Sequence, residues 1–215
     1  LAYDPLRDFA PIGFVAETAY LLVVPASSPA RDLRGLIDHA KAARTPLTFS
    51  HGNSSALIAS ATLARLAGVE MTGVPYRGGP EALTDVIAGR IDSTFTDFAA
   101  GMPQVREGKV RALAVTSPRP FSLAPEIPTV ASVLPDFTFD VWFGMAVPAA
   151  TPAPVIARLA AAAADAVNQP ALRQRLDDLG LLPAAEGPAA FARFLAMERA
   201  QMQALIQGEG IRLDS

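Results

Sequence analysis

A glycine and several small polar residues follow a short apolar run near residue 50, in the order Phe49-Ser50-His51-Gly52-Asn53-Ser54-Ser55. Glycine permits a tight turn and Asn and Ser are favoured N-cap residues, so the segment predicts a strand turning into a helix over residues 56–66. The free N–H groups and positive dipole end of a helix start favour a bound carboxylate or phosphate. Capping alone would also explain the segment. The predicted anion cradle comprises Ser50, Gly52, Asn53, Ser54 and Ser55.

Two later turns have similar chemistry. Tyr76-Arg77-Gly78-Gly79 ends a predicted strand, and Pro80 suits the first turn of the following helix. Tyr76, Gly78 and Gly79 would form a second wall, because glycine lets the backbone approach a ligand closely, and Arg77 could pair with an anion. Asp97 ends the next strand, where it could accept a hydrogen bond from a ligand amine, hydroxyl or water, or simply cap a helix.

An enzyme would need a nucleophile, a base and an orienting group, and the sequence supplies few candidates. The two histidines are His39 and His51. His51 adjoins Ser50, but neighbouring residues of an extended segment point to opposite faces, and the Gly-x-Ser-x-Gly motif is absent. His39 has no neighbours at metal-ligand spacing. We therefore predict no catalytic residue, no metal site and no cofactor, with an esterase as the remaining enzyme hypothesis.

The composition predicts a folded globular protein. The chain has 215 residues, of which 51% are hydrophobic and 18% charged, with a net charge of -3 and no cysteine. Scattered basic residues in an acidic chain argue against a nucleic-acid partner, and the absence of cysteine excludes disulfides and thiolate metal sites. The most apolar region, residues 145–164, contains three prolines, so we expect a protein that is not embedded in a membrane.

Strands and helices alternate through the middle of the chain, which predicts a parallel α/β sheet. Ligands of such sheets lie beyond the carboxyl ends of the strands, so the three turns described above should converge on one polar pocket. The chain then becomes proline-rich, returns as an extended run over residues 137–147, and ends in helices with no further predicted strand among them. The predicted strands are 12–15, 20–24, 47–49, 71–76, 91–96, 110–116 and 137–147, and the predicted helices are 33–43, 56–66, 81–88, 98–109, 153–168, 171–179 and 188–207.

Six segments, in this order and over nearly the whole chain, resemble the Bug, or TctC-like, extracytoplasmic solute receptors of tripartite tricarboxylate transporters. The two most specific segments are the Pro-Tyr-basic-Gly-Gly block and the Leu-Ala-Val-Thr strand. Asn53 stands where the family commonly has glycine, and Leu57 where it commonly has histidine. Because of these two differences, the resemblance does not indicate which ligand is bound. The six segments are residues 3–12, 49–55, 74–79, 109–116, 125–130, and 142–144 with Pro148.

The resemblance implies a type II periplasmic binding protein, with two α/β lobes joined by crossing strands that close over a small carboxylated solute. On this mapping, residues 23–139 form lobe two, and residues 1–22 and 140–215 are what remains of lobe one, whose N-terminal part is missing. The implied protein is periplasmic and delivers its solute to the membrane permease subunits of the transporter. A sensor that signals the solute to a partner protein would use the same pocket.

Overall fold

The computed structural model describes residues 3–209, which separate into two compact units. Residues 3–18 and 141–204 make up the three-stranded unit, and residues 19–140 form the body of the five-stranded unit. In chain order the elements are β1 (Phe9–Thr18), β2 (Tyr20–Pro25), α1 (Leu33–Ala42), β3 (Leu47–His51), α2 (Ser54–Ala67), β4 (Met71–Pro75), α3 (Gly79–Ile87), β5 (Ser93–Asp97), α4 (Phe98–Arg106), β6 (Val110–Val115), β7 (Val141–Pro148), α5 (Ala153–Val167), α6 (Pro170–Asp178), β8 (Leu182–Glu186) and α7 (Pro188–Glu209).

The five-stranded sheet has the strand order β4-β3-β5-β2-β6. β3 is parallel to β4 and β5, as the alternating pattern predicts, whereas β2 is antiparallel to both β5 and β6. The sheet is therefore mixed: the predicted parallel arrangement is confirmed for β3, β4 and β5, and β2 departs from it. Because β2 is antiparallel to β5, the first residue of β2, Tyr20, lies beside the last residue of β5, Asp97. The start of β2 thus joins the edge where the parallel strands end.

The core of the five-stranded unit is built on this sheet. All six residues of β2 are buried, as expected for a strand covered on both faces. On α1, Leu33, Leu36 and Ile37 are buried at helical spacing, while Asp32 caps the helix by accepting from the Gly35 N–H at 2.8 Å. These packed elements give the loops at the carboxyl edge a rigid base.

The boundary predicted between residues 22 and 23 falls inside β2, a strand that lies entirely in the five-stranded sheet. The assignment of residues 1–22 and 140–215 to one lobe and of residues 23–139 to the other stays a prediction.

The three-stranded unit contains an antiparallel sheet in the order β7-β1-β8. β8 was not predicted, so the expectation that the last helices have no strand among them was wrong. Its sequence, Leu-Pro-Ala-Ala-Glu, has weak strand propensity, and pairing with β1 decides its conformation. Trp142 packs edge-on against Phe191, with ring centroids 5.6 Å apart, within a cluster that also includes Phe14 and Phe194. None of the helices in residues 3–209 combines the length and apolar character needed to cross a bilayer.

Candidate functional site

The loop after β3 touches the loop after β4 at glycine residues. A Cβ atom at Gly52 would lie 2.1 Å from the carbonyl carbon of Gly78 and 2.4 Å from the nitrogen of Gly79. No side chain fits at that distance, so the close approach requires glycine at position 52. The carbonyl oxygen of His51 also accepts a hydrogen bond of 2.9 Å from the Tyr76 N–H. The two loops are thereby fixed against each other.

Asn53 is the N-cap of α2. Its backbone is extended, with φ -159° and ψ 168°, and its Oδ1 accepts a hydrogen bond of 2.8 Å from the Ala56 N–H. The N–H groups of Ser54 and Ser55 lie in the first turn, where the helix itself supplies no acceptor. Ser54 is exposed and Ser55 half-buried, so the positive end of the helix dipole is open to an anion at this point.

Tyr20 belongs to the same cluster, although the sequence did not single it out. Its hydroxyl oxygen accepts a hydrogen bond of 3.4 Å from Asn53 Nδ2, and the residue as a whole is only 9% exposed. Burial raises the pKa of Tyr20, Asp97 adds to the rise, and hydrogen bonds with Asn53 and Ser55 oppose it. The hydroxyl therefore stays protonated at neutral pH and can donate. In the sequence, Tyr20 resembles any other residue of a buried strand, so no local signal marks it as a site residue. The antiparallel direction of β2 in the sheet is what places Tyr20 at the site.

Asp97 caps the helix that follows β5. Its Oδ1 accepts from the Ala100 N–H at 3.0 Å, and its side chain is exposed. Among the described residues, none donates a hydrogen bond to Oδ2. Since Tyr20 and Asp97 are directly paired across the two strands, their side chains lie on one face of the sheet. Asp97 is therefore both a cap and an open acceptor beside Tyr20.

Ser50 lies beneath the cradle and does not line it. It is fully buried, and its hydroxyl donates to the Ala82 carbonyl oxygen of α3 at 3.2 Å. The Ser50 carbonyl oxygen in turn accepts from the Thr94 hydroxyl at 2.8 Å. Ser50 thus joins β3 to α3 and β5, and its hydroxyl is placed neither to grip a solute nor to act as a nucleophile.

Tyr76 and Arg77 differ in their surroundings. The Tyr76 hydroxyl donates to Asp85 Oδ2 at 2.6 Å, and Asp85 also pairs with Arg90. The hydrogen bond to Asp85 raises the pKa of Tyr76, while Arg90 and then Tyr76 lower the pKa of Asp85. Arg77 is exposed, and in the described part of the chain no hydrogen bond or ion pair holds its guanidinium. Tyr76 therefore positions the β4–α3 loop, and Arg77 is available to an anion.

The end of β3 offers little chemistry beyond binding. Burial lowers the pKa of His51, so its ring is neutral at neutral pH, and Phe49 lies against it with ring centroids 6.0 Å apart. Within residues 3–209, no group of three His, Cys, Asp or Glu side chains could hold a metal ion.

The structure thus brings Gly52, Asn53, Gly78 and Gly79 together around the start of α2, adds Tyr20 and Asp97, and leaves the Ser50 side chain below.

The fold and this site define an α/β protein of the periplasmic-binding-protein-like class. The sequence matches the tripartite tricarboxylate transporter family receptor model over residues 1–211, and the chain belongs to that family, which confirms the resemblance seen in the sequence. A UPF0065 protein from the tcbD-tcbE intergenic region of Pseudomonas sp. strain P51 is 36% identical over 208 residues, covering 95% of this chain and 62% of that protein. The chain thus spans about three fifths of that relative's length.

Two solved structures are also similar. Rpa4515 of R. palustris, solved with adipate, superposes with a TM-score of 0.89 at 27% identity, covering 97% of this chain and 71% of that one. MatC (Rpa3494) from Rhodopseudomonas palustris, solved with bound malate, gives 0.84 at 31% identity, covering 96% and 72% of the two chains.

Proposed function

We propose that this protein is a periplasmic receptor that binds a small carboxylate and delivers it to the membrane permease subunits of a tripartite tricarboxylate-type transporter. The observation that carries the proposal is the Gly52–Gly78 contact, which fixes the open first turn of α2 at the carboxyl edge of the sheet. The similarity to proteins solved with adipate and malate supports a carboxylate as the solute.

Backbone N–H groups make the main contacts with the solute. The N–H groups of Ser54 and Ser55, with their hydroxyls, bind one solute carboxylate, and such charge-assisted hydrogen bonds are stronger than neutral ones. Gly78 and Gly79 form the opposite wall, and Arg77 attracts anions to it. Ser50 and Tyr76 support the two loops from behind, through Ala82 and Asp85 respectively.

The first experiment is calorimetry on the complete gene product with dicarboxylates, tricarboxylates, amino acids and aromatic acids. We expect saturable, one-to-one binding of at least one of these acids. If none of them binds, the receptor proposal is wrong.

A proline at position 54 tests the backbone grip directly. Ser54 is the first residue of α2, a position that favours proline, and extended Asn53 has the conformation that precedes proline readily. Ser54→Pro removes one N–H group and the hydroxyl, whereas Ser54→Ala removes the hydroxyl only. We expect Pro to weaken binding by roughly tenfold and Ala by much less. Equal affinities of the two variants would show that the N–H group does not hold the ligand.

A further inference from the structure

The opposite edge of the five-stranded sheet, where β3 and β5 begin, contains a cavity of about 160 Å³. Its walls come from the β2–α1 loop, from α1, and from residues at the starts of β3 and β5. Leu47, the first residue of β3, lines the cavity, whereas the anion cradle follows the last residue of β3, His51. These two residues are about 13 Å apart along the strand. The cavity is therefore separate from the proposed carboxylate site.

One carboxylate borders this cavity. Asp92 Oδ2 accepts hydrogen bonds from the Thr48 N–H at 2.7 Å and from the Thr48 hydroxyl at 2.8 Å. In the described part of the chain, no donor reaches Asp92 Oδ1, and no Lys or Arg forms an ion pair with this half-buried carboxylate. Asp92 is thus held firmly by one oxygen, while its other oxygen and its charge have no partner, and a cationic donor would satisfy both.

Hydrogen bonds also fix the β2–α1 loop, which forms another wall. The Arg111 guanidinium donates to the carbonyl oxygens of Ala26, Ser28 and Ala30, at distances of 3.0, 3.2 and 2.9 Å. Ser27 and Ser28 of this loop line the cavity, and a serine hydroxyl oxygen can accept a hydrogen bond. Because charge-assisted hydrogen bonds hold the loop, the cavity is formed before any ligand arrives.

The rest of the lining is apolar, with Leu36 and Leu47 beside Pro25 and Pro29. The share of one water molecule in liquid water is about 30 Å³, so the cavity has room for roughly five non-hydrogen atoms. A primary ammonium on a four-carbon chain has this size, with a cation for Asp92 and an aliphatic body for the leucines. An ammonium also has three donors, so it can reach a serine hydroxyl as well.

We propose that this cavity is a second binding site, which takes a primary ammonium group on a short aliphatic chain. The ammonium donates to Asp92 Oδ1 and to a serine hydroxyl of the β2–α1 loop, and the aliphatic chain packs against Leu36 and Leu47. A free amine and the lysine side chain of another protein share this chemistry. The site goes beyond the receptor function and does not depend on it.

NMR titration of the complete gene product at pH 7.5 tests the site with n-butylammonium chloride, and 1-butanol is the neutral ligand of matched size. We expect saturable shifts of the Ser27 and Gly89 backbone amides, and at least roughly tenfold tighter binding of the ammonium than of the alcohol. Equal binding of the two ligands, or no saturable shift with the ammonium, would overturn the proposal.

A third ligand, Nα-acetyl-L-lysine N-methylamide, distinguishes the two sources of the ammonium group. Binding at least as tight as that of n-butylammonium supports the lysine side chain of another protein, because the cavity then admits a side chain that is attached to a backbone. Weaker binding supports a free amine.

Two variants assign the binding to the residues named. Asp92→Asn keeps an oxygen for the Thr48 donors but removes the charge, so we expect it to abolish the preference for the ammonium over the alcohol. Ser27→Phe, at an exposed position in the cavity wall, should block both ligands, and it tests the site if the Asn variant unfolds. Asp136→Asn, the same change at an exposed carboxylate outside the cavity, is the control.

A preference for the ammonium that survives in Asp92→Asn, or binding that is unaltered in Ser27→Phe, would overturn the proposal. Both variants should bind the carboxylate solute as the unaltered protein does, because the two sites lie at opposite edges of the sheet. The failure of this proposal would therefore leave the receptor proposal standing.

Discussion

Gly52 shows how one residue decides whether the site can form. Its Cα faces the backbone of Gly78 and Gly79, and backbone atoms cannot move aside as a flexible side chain would. We expect Gly52→Ala to lower the free energy of unfolding by about 1–3 kcal/mol and to weaken carboxylate binding. Chemical denaturation and calorimetry measure the two effects.

Gly79→Ala is the matched control for stability. A Cβ atom at Gly79 would have no neighbour within 4 Å, and we expect its free energy of unfolding to stay within about 0.5 kcal/mol of the unaltered protein. If Gly52→Ala proves as stable as Gly79→Ala, the contact between the two loops is not a constraint.

Protonation of the His51 imidazole makes the free energy of unfolding depend on pH. Burial lowers its pKa in the folded state below the ordinary value of 6.5. As pH falls from 6.5 towards the lowered value, the unfolded chain takes up a proton that the folded chain does not, so folding is destabilised. Above pH 6.5 both states carry a neutral ring and the effect is absent.

Urea denaturation at pH 7.5 and pH 5.0 measures this effect. We expect His51→Gln to lose less stability between these two values than the unaltered protein. His39→Gln, at an exposed position on α1, is the control. An unchanged loss of stability in His51→Gln would show that another group causes it.

At the scale of elements, the start of α2 depends on its cap. Asn53→Ala removes the acceptor of the Ala56 N–H, and we expect it to cost about 1 kcal/mol of stability. Asn53→Ser keeps a capping oxygen and should stay within about 0.5 kcal/mol of the unaltered protein. Thermal and chemical unfolding provide the measurement. A stable Asn53→Ala variant would mean that packing of α2 on the sheet is sufficient without the cap.

At the scale of the whole molecule, exposed apolar side chains are concentrated in one unit. In the described part of the chain, every exposed large hydrophobic residue lies in the three-stranded unit. Phe143 and Met145 on β7 are 49% and 46% exposed, and β7 is an edge strand with an unpaired side. Such a patch is typical of a surface that another segment or molecule covers.

Dye binding tests this patch. We expect residues 1–215 in the folded state to bind the apolar dye 8-anilinonaphthalene-1-sulfonate, and we expect the paired changes Phe143→Ser and Met145→Ser to reduce its fluorescence at least about twofold. Thr72→Ser on β4, an exposed edge position in the five-stranded sheet, is the control. Fluorescence that the paired changes leave unaltered would place the dye elsewhere.

Much of the five-stranded unit could be predicted because its signals are local. Hydrophobic runs and turn residues placed β3, α2, β4, α3 and β5 within a few residues of their observed bounds. Asn53 and Asp97 were recognised as cap residues, since capping needs only a side-chain oxygen and the next N–H groups. β8 was missed because pairing with a distant strand, rather than propensity, makes it extended.

The sequence by itself determined the class of fold, the family and the presence of a capped helix start with two glycine-containing loops. Only the tertiary structure decided which groups meet at that start. The reversal of β2 brings Tyr20 to Asn53 and Asp97, and the packing of α3 turns the Ser50 hydroxyl inward. The reason is physical: caps and turns depend on neighbours in sequence, whereas strand direction and side-chain orientation depend on residues far along the chain.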